Sequence, residues 1–276
     1  MAMSYEPDQG RIAGRQWNPN QYLKFADQRL RPALELLERV DLATPELIYD
    51  LGCGTGQITR VIAQRWPAAT VYGLDNSPEM LAKAAAEPSD IQWLEADVSD
   101  WQPAAAPDLI YSNATLHWVV GHRELFPRLL QMLKPGGVLA VQMPLSWDAP
   151  SHRLMRETLA HGGANGAPLG TPELRQAMDR RWVEDAEQYY DWLVDGSAAL
   201  DIWASEYLQV LAGPDPVLEW VKGTGLRPVL NGLDAAERAQ FLHGYAARLR
   251  ETYPMRADGS TLYPFRRLFL VAQRQA

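Results

Sequence analysis

Three glycines at alternate positions, Gly52, Gly54 and Gly56, follow a short apolar run and an acid, Leu47-Ile48-Tyr49-Asp50-Leu51. An amphipathic stretch comes next, Gln57 to Trp66, with Ile58, Val61 and Ile62 at helical spacing. The pattern reads as strand, tight turn, helix. Glycine supplies positive φ there and lets a ligand approach the backbone. A dinucleotide fingerprint would be G-x-G-x-x-G, and Gln57 stands where its third glycine would be. Asp50 would also repel a pyrophosphate, whereas it suits the ammonium of an amino acid. A ligand with an amino-acid end and a nucleoside end fits the turn, and S-adenosylmethionine is the common one.

The following strands each end in an acid. Thr70-Val71-Tyr72-Gly73-Leu74-Asp75 places Asp75 about twenty residues past the turn, where a carboxylate accepts from both ribose hydroxyls. Ser77 is an N-cap with Pro78 at the first helical position, which sets Met80 near the adenine. Ile91 to Asp97 is a third strand, with Asp97 preferred over Asp100 as acceptor for an adenine amino group. Pro107 to Asn113 is a fourth, followed by Ala114-Thr115-Leu116-His117-Trp118. Ligands bind at the carboxyl ends of such strands, so these side chains border the site. His117 has a general-base reading and an equal reading as a polar residue packed at the mouth. Leu125 to Leu133 is a helix ended by Lys134-Pro135-Gly136-Gly137, and Val138 to Met143 is a fifth strand.

This alternation gives an α/β fold with a doubly wound, mostly parallel sheet. Beyond Pro144 the rhythm changes. Helices are expected over 151–160, 172–178, 187–194, 216–222 and 234–252, with a sixth strand at 199–211 and a closing strand at 262–271. The Gly-rich stretch 162–170 reads as a loop and possible lid hinge. The expected organisation is a leader at 1–14, then one domain at 15–276 with helical cap insertions at about 146–186 and 213–255. Before the glycine turn, 22–40 reads as one or two helices interrupted near Pro32.

The net charge of −8 and the absence of a basic block argue against a broad nucleic-acid surface. No run approaches the roughly eighteen apolar residues of a bilayer span, and no apolar signal segment opens the chain. Cys53 is the only cysteine, which suits a cytoplasmic location. No metal site is expected.

The glycine turn, Asp75, Asp97 and Leu133-Lys134-Pro135-Gly136-Gly137 together resemble the class I S-adenosylmethionine-dependent methyltransferases. That resemblance implies a Rossmann-like seven-stranded sheet of order 3-2-1-4-5-7-6 with strand 7 antiparallel. A narrower resemblance spans nearly the whole chain from Trp17. Trp17-Asn18-Pro19-Asn20-Gln21-Tyr22-Leu23-Lys24-Phe25, Arg31-Pro32-Ala33, Val141-Gln142-Met143-Pro144, Asp201-Ile202-Trp203, Thr224-Gly225-Leu226-Arg227-Pro228 and Arg267-Leu268-Phe269-Leu270-Val271-Ala272 are similar to the trans-aconitate 2-methyltransferase family. Leu145-Ser146 and the 162–170 stretch depart from its pattern, on the cap side of the site. The resemblance implies methyl transfer to a carboxylate of trans-aconitate, giving a monomethyl ester, with S-adenosylhomocysteine as the other product.

The expected cofactor shell is Trp17, Asp50, Gly52, Gly54, Gly56, Gln57, Asp75, Asn76, Met80, Asp97, Val98 and Asn113. A carboxylate is ionised at neutral pH and needs no general base to attack a sulfonium methyl, so His117, Trp118 and Tyr22 are expected to position rather than to deprotonate. The tricarboxylate partner calls for cationic donors, and arginine suits carboxylates through its two-pronged geometry. Arg31 and Arg227 are the preferred candidates, with Tyr22, His117, Trp118 and Tyr190 as walls. Arg227 ranks first because it sits in a Gly-Leu-Arg-Pro turn where no helix face accounts for it. Arg29, Arg266 and Arg267 read better as surface ion-pair residues. Other acceptors (an amine, hydroxyl or carbon), an RNA or protein substrate, and a cofactor-binding protein without catalysis are the competing readings.

Overall fold

The computed structural model describes residues 30–276. Its sheet has seven strands: β1 (Leu47–Leu51), β2 (Thr70–Asp75), β3 (Gln92–Glu95), β4 (Leu109–Asn113), β5 (Val138–Pro144), β6 (Ser197–Leu211) and β7 (Thr261–Arg274). Their order is β3-β2-β1-β4-β5-β7-β6. β1 to β5 run parallel, and β7 lies antiparallel between β5 and β6. This is the Rossmann-like class I methyltransferase sheet.

Helices cover both faces. α1 (Arg31–Glu38) precedes β1, and α2 (Gln57–Arg65), α3 (Pro78–Ala85) and α4 (His122–Met132) belong to the sheet's own crossovers. Leu34, Leu37, Ile58, Val61 and Ile62 pack one face with Ile48, Val71 and Leu109. Leu125, Phe126, Leu129 and Leu130 pack the other with Leu51, Leu74 and Ile110. The central strands read as continuous apolar runs because helices bury them on both faces. Pro32 stands in the first turn of α1, so the break expected near it falls at this helix's start, and residues 22–29 of that expectation lie outside the described residues. In the first turn its missing N–H costs nothing and its fixed φ suits the helix.

The chain leaves the sheet twice on the β5 side. α5 (Pro150–His161), α6 (Pro172–Asp179) and α7 (Ala186–Leu193) lie between β5 and β6. α8 (Pro216–Lys222), α9 (Arg227–Gly232) and α10 (Ala235–Thr252) lie between β6 and β7. Met155 and Leu159 of α5, Val217 and Val221 of α8, Val229 of α9 and Phe241 and Tyr245 of α10 share one core with Tyr263 and Phe265 of β7. The stretch expected as a hinge at 162–170 is well tied: Leu169 N donates to Leu159 O at 2.7 Å, and Gly170 N donates to Glu237 Oε1 at 2.9 Å.

β6 and β7 are much longer than the parallel strands. Only Arg267 to Gln273 of β7 pair with β5, and Arg267 lies opposite Pro144, the last residue of β5. Thr261 to Arg266 pair with β6 alone. The two-stranded ribbon therefore overshoots the carboxyl edge of the parallel strands and forms a wall there.

β4 is fastened to α1 by the fully buried Tyr111, whose hydroxyl donates to Ala33 O at 2.6 Å. Tyr111→Phe removes this bond with no change in ring packing. Its expected cost is about 1 kcal/mol, measured as a lower urea midpoint at unchanged m-value.

Candidate functional site

The glycine turn adopts the left-handed region at Gly52 (φ 74°), Gly54 (φ 55°) and Gly56 (φ 76°). A Cβ on Gly52 would lie 2.1 Å from the Thr115 side chain. A Cβ on Gly54 would meet nothing within 4 Å, so this glycine leaves its space open to a ligand. The Asp75 carboxylate holds the turn from the side. It accepts from Gly54 N and from Ser77 N, each at 2.9 Å.

Asp50 lies beneath the turn and is 1 % exposed. Its Oδ2 accepts from the Thr59 hydroxyl at 2.6 Å, while its Oδ1 has no partner among the described residues. Burial pushes its pKa up to about 7, the Thr59 bond opposes this, and the nearby Asp75 charge adds to it. A second orphan acceptor, the buried Oδ1 of Asn113, lies at the end of β4. A buried acceptor without a donor is costly and marks a place for a ligand.

A cavity of about 900 Å³ opens at the turn. Gly52, Cys53, Gly54, Thr55, Gln57, Ile58 and Asn113 line its sheet side, and His117, Trp118 and Arg227 also line it. Burial drives the Cys53 thiol well up, so it is not a thiolate. Asp75, Asn76, Met80, Asp97 and Val98 lie outside the cavity, along the carboxyl ends of β2 and β3. The Asp75–Gly54 bond joins that ledge to the cavity. β3 ends at Glu95, so Asp97 sits in the following loop. There it is exposed and accepts from Ser99 N at 2.8 Å. That serine, with Asn76, holds its carboxyl below the usual range. Val98 is buried in the core. Trp17 and Tyr22 lie outside the described residues.

His117 belongs to a single turn of tight helix, Leu116–Trp118. The turn is pinned by His122, whose Nε2 lies 2.8 Å from Leu116 O and whose Nδ1 lies 2.7 Å from the Tyr189 hydroxyl. The carbonyl can only accept, so Nε2 carries the proton and the tyrosine donates to Nδ1. Burial, the Arg267 charge and two further histidines lower the His117 pKa to about 3. It is a neutral ring, poorly suited to take a proton.

Two residues expected at the site are elsewhere. Arg31 donates to Glu35 at 2.7 Å and covers the Tyr207 ring, away from the cavity. Four residues apart on α1, the pair satisfies itself. Tyr190 is half exposed on α7 and lines nothing of the cavity, while its neighbour Tyr189 points inward to His122. Arg227 does line the cavity, but it is the first residue of a helix, α9, not part of a helix-free turn.

Arg266 and Arg267 on β7, ranked behind Arg31 and Arg227 from the sequence, line the cavity, and so do Arg156, Arg180 and Arg181 from the segment after β5, which the sequence reading did not single out. Arg267 is only 6 % exposed. It donates to the fully buried Gln142 Oε1 at 3.0 Å and lies over the Phe265 ring. Among the described residues, six arginines (156, 180, 181, 227, 266 and 267) and three acids (Asp148, Asp185 and Glu206) line this cavity in a chain of net charge −8. The cavity is therefore locally cationic. Counting the antiparallel register of β7 from Pro144 was the signal that would have found Arg267 and Arg266.

Among the described residues no group of three His, Cys, Asp or Glu could hold a metal ion, and no helix is long and apolar enough to cross a membrane. A methyltransferase-domain family matches residues 48–137, from β1 through β4 to the turn before β5. The trans-aconitate 2-methyltransferase of Pseudomonas aeruginosa (strain UCBPP-PA14) is 47% identical over 256 residues, 93% of this chain and 93% of that protein. Proteins of the same name are 46% identical in Methylobacterium nodulans, covering 94% of this chain and 98% of the relative, and 48% identical in Streptomyces avermitilis, covering 94% and 97%.

The chain belongs to the trans-aconitate 2-methyltransferase family.

Solved structures agree on the fold. The YcgJ protein of Bacillus subtilis matches with a TM-score of 0.52 at 12% identity, over 88% of this chain and 97% of its own. Phosphoethanolamine N-methyltransferase 2 of Haemonchus contortus matches with a TM-score of 0.50 at 17% identity, over 89% of this chain and 53% of its own. The family's sheet is thus built here with its glycine turn at the mouth of an arginine-walled cavity.

Asp50 gives this site a pH signature. Its carboxyl is raised in the folded chain relative to the unfolded one, so ionising it costs stability. That cost is absent below about pH 4, grows as the pH rises to about 7 and is constant above. Asp50→Asn abolishes the titration. In the ligand-free chain the variant's melting temperature should therefore gain on that of the native chain between pH 4 and pH 7.5, by the equivalent of at most about 4 kcal/mol. A difference that does not change with pH would show that Asp50 is ionised without penalty.

Proposed function

We propose that the chain transfers a methyl group from S-adenosylmethionine to a carboxylate of trans-aconitate, forming the monomethyl ester. The observation that carries this reading is the cavity itself, which is lined both by the glycine turn and by Arg267 and its fellow arginines. The near-full-length identity to trans-aconitate 2-methyltransferases supports the same choice of substrate.

The residues fit the cofactor. Gly54 leaves space for a close-lying ligand. The orphan Oδ1 atoms of Asp50 and Asn113 provide acceptors for an amino-acid ammonium and its neighbourhood. Asp75, at the end of β2, is placed for ribose hydroxyls, with Asn76, Met80 and Asp97 along the same ledge. When bound, S-adenosylmethionine supplies an electrophilic methyl on a sulfonium.

The remaining work falls to the chain's own side chains. Arg267, oriented by Gln142, binds a carboxylate of the substrate and fixes its direction. Alignment of the attacking oxygen is worth much of the barrier for a substrate already ionised. Exclusion of water falls to the helices after β5 and β6, which act as one cap of a single methyltransferase domain. No proton has to be removed, in keeping with a neutral, buried His117. An amine or hydroxyl acceptor would need a base, and His117 is a poor one. The partner is a small tricarboxylate and the setting cytoplasmic.

Two measurements test the reading. Labelled S-adenosylmethionine is offered with trans-aconitate, cis-aconitate, citrate and isocitrate, and the product is analysed by mass. A base-labile monomethyl ester from trans-aconitate is expected, and cofactor binding without any ester would overturn the choice of acceptor. Asp75→Asn should weaken S-adenosylhomocysteine binding about 10- to 100-fold by calorimetry. His117→Ala should keep kcat within about tenfold at pH 7.5, whereas a thousandfold loss would restore a base to the mechanism.

A further inference from the structure

Trp147 and Arg181 line the same cavity, and the sequence reading singled out neither. Both carry a buried N–H without a partner among the described residues: the indole Nε1 of Trp147 and the guanidinium Nε of Arg181. The surroundings hold both groups in place. Arg156 stacks over the Trp147 ring at 4.1 Å and donates to Trp147 O at 2.9 Å. Arg181 lies 5.9 Å from the same ring. Its two terminal nitrogens grip Asp185 at 2.7 and 3.0 Å, and one also reaches Asp148 at 3.5 Å.

The charges around this pair are arranged by depth. The Asp148, Asp179 and Asp185 side chains are 74, 76 and 52 % exposed, while those of Arg156 and Arg181 are 17 and 32 % exposed. Solvent screens the rim carboxylates, which orient the guanidiniums by their outer edges. The unpaired Nε and the indole N–H are left as inner donors. A buried donor without an acceptor costs about 1–3 kcal/mol. Two such donors on one cavity wall, beside two partly buried guanidiniums, call for an anionic acceptor.

We propose that Trp147 Nε1 and Arg181 Nε, backed by Arg156, form a second carboxylate subsite, separate from the one at Arg267, which selects polycarboxylates over monocarboxylates. The proposal rests on the methyl-transfer reading above and assigns to this site the source of its charge selectivity. A carboxylate accepts one hydrogen bond from each donor, and the substrate is thereby held at both ends. A monocarboxylate can fill only one subsite and leaves the other pair of donors unpaired. Rejection then follows from the unsatisfied groups, which discriminate more strongly than missing apolar contact does.

Trp147→Phe removes the indole N–H and keeps an aromatic surface for Arg156. Arg181→Lys keeps the charge and removes the Nε donor. KM for trans-aconitate should rise about tenfold or more in each variant, with kcat within about threefold. S-adenosylhomocysteine affinity and melting temperature should stay near native. The preference for trans-aconitate over a monocarboxylate analogue of the same carbon skeleton should narrow by the same factor. Unchanged KM, or an equal rise for tricarboxylate and monocarboxylate, would overturn the subsite. Should the native chain methylate no tricarboxylate, the activity reading fails by itself. The subsite is then read from calorimetric binding of trans-aconitate: binding by the native chain that is lost in both variants supports it, and no binding by the native chain overturns it.

Discussion

The pairing of Arg267 with Pro144 sets how far β7 projects beyond the end of β5. β7 is inserted antiparallel between β5 and β6, so its register against β5 decides which of its residues cross the sheet and which project beyond it. Strand side chains alternate between faces, and a slip of one residue would send Arg267 to the other face together with Phe265 and Tyr263. The helices after β6 would lose the two aromatics around which they pack. The apolar run Leu268-Phe269-Leu270 guards against such a slip, since Leu268 and Leu270 are buried on one side of the sheet and Phe269 on the other. The same hydrophobic pattern that closes the fold thus delivers a cation to the carboxyl edge of β5.

Burying that cation requires a partner. A fully buried Gln142 on β5 offers its carbonyl oxygen, and Phe265 offers a ring face. These two contacts orient Arg267 at the carboxyl edge of β5, where its planar fork suits a two-pronged anionic ligand. The contrast with Arg31 is instructive. That guanidinium has its own carboxylate at 2.7 Å on the same helix, in the open, and has no attraction to spare for a substrate.

This contrast explains how much could be read beforehand. The five parallel strands and the glycine turn depend on local pattern (apolar runs, an acid at the strand end, Gly with positive φ), whereas the strand order came from the family resemblance. Asp50 and Asp75 followed from the same local grammar. Residues placed by long-range register did not. Arg267 looks like a surface residue in sequence because its burial depends on Pro144, over a hundred positions away. Trp147 and Arg181 come from opposite ends of the segment between β5 and β6 and meet only once it is folded. Tyr190 was chosen over Tyr189 for want of a helix phase, because one step along a helix turns a side chain by about 100°. Asp97 was assigned to a strand that ends two residues sooner.

Two groups in the cavity region are held by burial away from their usual protonation. Asp50 is raised to about 7 and His117 is lowered to about 3, each mainly through loss of water. In both cases burial favours the neutral form. Burial thus disfavours charge on Asp50 and His117, while the arginines that line the same cavity supply fixed positive charge. A zwitterionic amino-acid end and a polycarboxylate bring the complementary charges with them. An ammonium near Asp50 favours its ionised form, and a carboxylate near His117 favours its protonated form. Among the described residues the site keeps buried polar atoms unpaired, and it holds neutral groups where its ligands are charged. The difference between that state and the filled one is the part of the binding free energy that the fold has set aside for them.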